Sequence, residues 1–182
     1  KIMTTEDADF ARNNHQLKLS RKAHWTHFQI VYIFLFFALF IPFIKLFHYL
    51  KGTHKSFSKT EFISILIFIV LALLLYVLQK RRLRFKTVDT NLTREELLMI
   101  IKEVAEKLKW LPYNTQNDYI VARTRPSFFS GSWGEQITIV FDQTTVLVNS
   151  ICDPRQKSSI ISVGRNRKNM NTLIKAIKES GR

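Results

Sequence analysis

The sequence predicts a membrane protein: a two-helix transmembrane hairpin followed by a small α+β domain of α-β-β-β-α order. That domain reads as an antiparallel meander with both helices on one face. Three observations carry this. Two long apolar runs lie between Trp25 and Leu78, a basic cluster follows the second run, and after Thr93 the pattern turns to one amphipathic helix and alternating strands.

The first run, Ile30 to Ile44, reads IVYIFLFFALFIPFI, and the second, Phe62 to Leu78, reads FISILIFIVLALLLYVL with only Ser64 as a polar interruption. A spanning helix needs roughly 20 mostly apolar residues, with about 17 as a lower limit. With their flanks both runs reach this, giving spans of about 26–50 and 60–79. A buried core helix is the competing reading, but two helices apolar all round would need more surrounding chain than this protein has. The first run lies too far in for a signal peptide, and no small-residue cleavage site follows it. The chain opens on Lys1, not Met, which leaves room for an upstream segment.

Residues 1–20 are polar and mixed in charge, with no visible period, and read as a flexible or partner-ordered tail. Arg21 and Lys22 then mark the membrane edge, and Trp25 is placed as an interfacial aromatic. Pro42 and Lys45, late in the first span, read as ordinary features of a helix end whose lysine snorkels toward headgroups. The connection from Lys51 to Lys59 is short, which makes the two spans antiparallel neighbours. Ser58 and Glu61 have capping-box spacing, so the second helix should begin near Lys59.

Net charge is +14, and it divides unevenly. Residues 1–87 hold 14 Lys and Arg against 4 Asp and Glu, whereas residues 88–182 hold 14 against 10. The excess therefore sits at the membrane flanks, where basic residues set orientation and touch anionic lipid. The densest group is Lys80, Arg81, Arg82, Arg84 and Lys86. Together with Arg12, Lys18, Arg21 and Lys22 it outnumbers the loop lysines Lys51, Lys55 and Lys59. The positive-inside rule then places both termini in the cytoplasm, as in a multi-pass protein of the cell inner membrane. Because the flanks account for most of the charge, nucleic acid is not the favoured partner.

A capping box, Thr93 with Glu96, opens an amphipathic helix in which Leu97, Leu98, Ile101, Val104, Ala105 and Leu108 follow helical spacing, and Trp110-Leu111-Pro112 ends it. Tyr119–Thr124, Glu135–Asp142 and Thr145–Cys152 read as strands, the last two joined as a hairpin through Gln143-Thr144. Asn166 or Asn169 should cap a final helix whose stripe is Met170, Leu173, Ile174 and Ile177. The domain, residues 88–182, is small enough that its core should lean on a partner, the membrane or its own hairpin.

No nucleophile elbow, Walker lysine, glycine-rich dinucleotide turn or HExxH motif is present, so the sequence points to no enzyme and no cofactor. Cys152 is the only cysteine, which rules out an internal disulfide and a cysteine-based metal site. All five histidines lie in or beside the first span. His24 and His27 share a helix face, but the second span offers no His, Met or Cys to oppose them, so they read as interfacial. The loop around Gly131 to Gly134, with Phe128, Phe129 and Trp133, suits an aromatic contact patch better than a phosphate cradle.

One constellation stands out: Arg155, Lys157, Arg165, Arg167 and Lys168. The last three stand at the start of the final helix, where the macrodipole disfavours cations. The simpler reading is a solvated basic turn, since each misplaced exposed charge costs only ~0.3–1 kcal/mol. The functional reading is a cytoplasmic anion site for a lipid headgroup, nucleotide or RNA phosphate. The expected function is a non-catalytic accessory or scaffold subunit of a larger membrane assembly, its α+β domain used for protein–protein contact with other integral membrane subunits. The alternative is a membrane-anchored anion-binding or sensory module that uses the basic turn 155–168.

Overall fold

The computed structural model describes residues 3–53, 56–126, 133–156 and 164–181. His54, Lys55, Phe128, Phe129, Gly131 and Lys157 lie outside the described residues. The chain runs α1 (Thr5–Asn14), α2 (Arg21–Leu50), α3 (Lys59–Arg82), β1 (Lys86–Asp89), α4 (Arg94–Leu108), β2 (Trp110–Thr115), β3 (Tyr119–Thr124), β4 (Glu135–Asp142), β5 (Thr145–Cys152) and α5 (Arg165–Ser180). It divides into two compact units, one of Lys1–His27 with Arg82–Arg182 and the other of Phe28–Arg81.

The second unit is the helical hairpin. Both of its helices are long and apolar enough to cross a membrane, and only 11% and 6% of their most apolar windows are buried. A soluble core helix would be mostly buried. Here Leu39, Phe43, Phe62 and Leu73 stand at least 59% exposed. The helices meet through small and aromatic residues. Ala38 and Ala72 are buried, Phe37 stacks on Phe68 with ring centroids 5.6 Å apart, and Phe28 lies 5.6 Å from Tyr76. Small residues let helix backbones approach where no hydrophobic drive separates one apolar surface from another. At the far end Lys45 Nζ lies 2.8 Å from Glu61 Oε1. Lys45 thus has a carboxylate across the hairpin in addition to the interfacial role expected of it. Ser58 and Glu61 form the capping box the spacing predicts, with Ser58 N donating to Glu61 Oε2 at 2.8 Å.

The first unit is built on a five-stranded antiparallel sheet in the order β1-β5-β4-β3-β2. The three strands read from alternation fall at the expected bounds. Two were missed. β1 is a four-residue edge strand with Val88 as its one buried residue. β2 begins at Trp110, directly after the αL cap Lys109, so Pro112 sits in an edge strand and not in a loop. A β-bulge falls between Pro112 and Asn114. Proline and bulges belong on edges, where no ladder partner is lost and pairing with another chain is discouraged.

On one sheet face Ile120, Ala122, Ile137, Ile139, Val146 and Val148 form the core with Leu97, Ile101 and Val104 of α4 and Leu173 and Ile177 of α5. The capping box of Thr93 and Glu96 is present, and Glu96, bonded by the Thr93 amide and hydroxyl, is held below the usual carboxylate range. The two expected helices, α4 and α5, thus share one face of the sheet, and the opposite face is covered as well, by a helix that was not expected. Thr138, Val140, Leu147 and Asn149 are completely buried there. The cover comes from residues 3–20 of the segment read as a flexible or partner-ordered tail, which carries the helix α1. Thr4 and Asp7 cap it reciprocally, Ala8 and Ala11 are its buried stripe, and Tyr119 Oη donates to the Met3 carbonyl. Arg12 Nε donates to the Phe141 carbonyl at 2.9 Å. The domain completes its thin core with its own N-terminal segment, and β1 starts at Lys86, preceded by the buried Leu83 and Phe85.

The neck of the hairpin is fixed within this unit. Gln16 bridges Arg84 in antiparallel fashion, Leu17 N donates to the Leu83 carbonyl at 2.8 Å, and Phe85 N donates to the His15 carbonyl at 2.9 Å. Asn149 Nδ2 from β5 donates to both the Arg82 and Arg84 carbonyls at 2.9 Å.

Candidate functional site

Among the described residues, cations of the expected anion site line two separate grooves. Lys157 lies outside the described residues, and the other four divide between two grooves and open solvent.

Arg165 opens α5 and turns its guanidinium to the sheet, with Nε 3.2 Å from Glu135 Oε2. Glu135 is the first residue of β4 and completely buried. In an antiparallel sheet residues two apart share a face, so Glu135 lies on the core side with Ile137 and Ile139. Its carboxylate accepts the Thr124 hydroxyl, and its amide donates back to Thr124 Oγ1 at 2.9 Å. A buried carboxylate is tolerated when it is paired and hydrogen-bonded, and Arg165 and Thr124 supply both. The chain passes close by. Gly134, at φ +109°, lies where a Cβ would come within 2.7 Å of the Thr124 carbonyl oxygen, so this approach requires glycine.

Asn166 and Asn169 do not cap α5. The N-cap is Gly164, in the left-handed region, with no side-chain cap bond. Both asparagines face the sheet instead: Ser150 Oγ donates to Asn166 Oδ1 at 3.1 Å, and Asn169 receives Trp110 Nε1–H at 3.3 Å while donating to Ser150. The first turn of α5 therefore carries Arg165, Arg167 and Lys168 with no acidic residue. Arg167 is exposed.

Beside this turn lies a groove of about 760 Å³, whose walls include Lys107, Lys109, Arg125, Arg165 and Lys168 against a single acid, Glu106. Trp110 contributes to it from β2.

Arg155 belongs elsewhere. Its guanidinium lies 4.3 Å from the Tyr113 ring centroid, and Arg123 lies 3.7 Å from the same ring. Asp153, buried, takes Arg123 Nε at 3.3 Å and accepts the Arg155 amide at 3.0 Å. A hydrogen bond from Arg155, with the charges of Arg155 and Arg123 behind it, holds the Tyr113 phenol below its ordinary pKa. No sequence signal marks this cluster, since its members come from β2, β3 and the turn after β5.

The membrane-flank group also divides. Lys80, Arg81 and Arg82 end α3, whereas Arg84 and Lys86 stand exposed on extended chain between the buried Leu83, Phe85 and Val88. Lys80 Nζ lies 5.9 Å from the Tyr76 ring centroid, and Lys86 Nζ donates to Asn171 Oδ1 at 2.9 Å. Of the aromatic loop, Trp133 is 48% exposed. Among the described residues no group of three or more His, Cys, Asp or Glu could hold a metal ion. No family model matches the chain, and no curated protein matches it.

Proposed function

We propose that this protein is a non-catalytic accessory or scaffold subunit of a membrane assembly, anchored in the inner membrane by α2 and α3, with its α+β domain in the cytoplasm serving protein–protein contact. One observation carries the reading: an apolar hairpin, exposed along both helices, is inserted in the chain between two segments that are hydrogen-bonded to each other within the α+β domain. Such a surface requires lipid or other spanning helices around it. Purification in mild detergent should bring down a stoichiometric membrane partner. A monodisperse monomer without a companion would overturn the subunit reading and leave the anchoring intact.

The groove with five cations supports a second reading, a membrane-anchored module that binds an anionic molecule. Nucleotides, inositol phosphates and short RNA should then raise the melting temperature of the full-length protein. Lys168→Ala and Arg125→Ala should abolish the rise. No response to any of these anions removes this reading.

A further inference from the structure

We propose that a second groove, at the start of α2, binds the headgroup of an anionic phospholipid. The groove measures about 570 Å³, and its walls include Lys18, Lys22, Arg155, Asp7 and Tyr113 over a floor to which Val121 contributes. Three cations face one carboxylate, and Asp7 is already engaged, since it caps α1 and lies 3.8 Å from Lys18 Nζ. The Arg155 guanidinium stacks on Tyr113, which holds it at the groove wall. A guanidinium and ammonium groups around one opening suit a phosphodiester oxygen pair.

The place of the groove selects lipid as the source of that phosphate. Lys22 and Ala23, in its wall, belong to the first turn of α2, and the apolar run of the same helix follows. At 1.5 Å rise per residue, Phe28 stands only about 8 Å further along the helix axis than Ala23. Trp25, 59% exposed, lies between them at the depth where aromatic anchors occur. A headgroup in the groove would leave its acyl chains free to follow α2. This rests on the anchoring reading above but uses different residues from the basic flank 80–86 and from the groove beside α5.

Full-length protein in nanodiscs of equal phosphatidylglycerol and phosphatidylcholine, released into native mass spectrometry, tests it. Wild type should retain phosphatidylglycerol preferentially. Arg155→Gln and Lys22→Gln should each lower that preference about fivefold, the equivalent of the ~1 kcal/mol that one basic residue contributes near an anionic surface. Lys102→Gln, an exposed change on α4, should leave it unaltered. Lys22 is itself exposed, so its variant keeps the test valid should Arg155→Gln misfold. Equal retention of the two lipids, unchanged preference in both groove variants, or release of the lipid by inorganic phosphate would each overturn the proposal. Extraction of the protein by alkaline carbonate would instead overturn the anchoring reading, and this proposal with it.

Discussion

The amide of Leu17 donates to the carbonyl of Leu83 at 2.8 Å, so the chain is hydrogen-bonded to itself across the whole helical hairpin. The hairpin is therefore an insertion into the α+β domain and not a leader in front of it. A ~30 Å hydrocarbon layer cannot separate two residues that share a backbone bond. With α2 and α3 crossing a membrane as proposed, the chain should return to the side it left.

Excision follows from this neck. Joining Ser20 to Arg82 through about six Gly and Ser residues, which span ~14 Å as a random coil, should give a soluble monomer with a cooperative thermal transition. The fragment 88–182 should fail the same measurement. It lacks α1 and half of β1, and would expose Val140 and Leu147, at ~1.5–3 kcal/mol each. Near-ultraviolet circular dichroism separates the two. A native spectrum from the fragment would show that α1 is dispensable.

What the sequence revealed and hid has a physical pattern. The three central strands were legible because alternation records burial directly, and α4 because its capping box and stripe agree. The second covered face was also written, in the apolar runs Ile139-Val140-Phe141 and Val146-Leu147-Val148, which a one-sided strand does not need. α1 escaped because Ala8 and Ala11 are its only buried apolar residues, beside the capping Asp7, and small residues give a weak periodic signal. β2 escaped because Pro112 reads as a helix stop and an edge-strand proline alike. Glu135 could have been found from parity, since it shares a face with Ile137 and Ile139 and must have a partner there. That the partner is Arg165 depends on how α5 packs, which no local pattern encodes. Nor does any pattern say that Arg155 and Arg165 serve different grooves.

Removing Arg165 should be costly. Arg165→Ala takes the guanidinium away from the buried Glu135 carboxylate. Breaking a fully buried pair costs about 3–5 kcal/mol; Arg165, with its side chain 28% exposed, should fall below that, at ~2–3 kcal/mol. Replacing both partners, Glu135→Leu with Arg165→Met, should recover most of the loss. Urea denaturation of the hairpin-free chain gives the cycle, and a single-variant loss under ~0.5 kcal/mol would show the pair to be solvent-screened.

Tyr113 should titrate below the ordinary tyrosine value. Its phenol is lowered chiefly by the Arg155 hydrogen bond, so the ionised form is the favoured one in the folded state. The resulting stabilisation is fully present above the unfolded-state pKa and lost as pH falls through the depressed folded value. Ultraviolet difference absorbance at alkaline pH should show an early phase that vanishes in Tyr113→Phe and moves upward in Arg155→Gln. An unmoved phase in Arg155→Gln would detach the phenol from that guanidinium.

Topology is the most direct test of the cytoplasmic assignment. The neck at Leu17 and Leu83 makes residues 3–20 and the α+β domain share a side, and the flanking cations choose which one. Basic residues close to a span end resist translocation. Lys80, Arg81, Arg82 and Arg84 lie at or just past the end of α3, with Lys18, Arg21 and Lys22 at the start of α2. The opposing charges are Lys51, Lys55 and Lys59, which must then cross; the larger group at the neck outweighs them. Cys152 is buried and the only native thiol, so Cys152→Ser clears the background. In that chain Thr53→Cys, exposed in the connection, should react with an impermeant maleimide in intact cells. Gln116→Cys, exposed between β2 and β3, should react only after lysis. The reverse pattern would place the domain outside the cytoplasm and bring both groove readings down with it, because each calls on a cytoplasmic ligand or the inner leaflet.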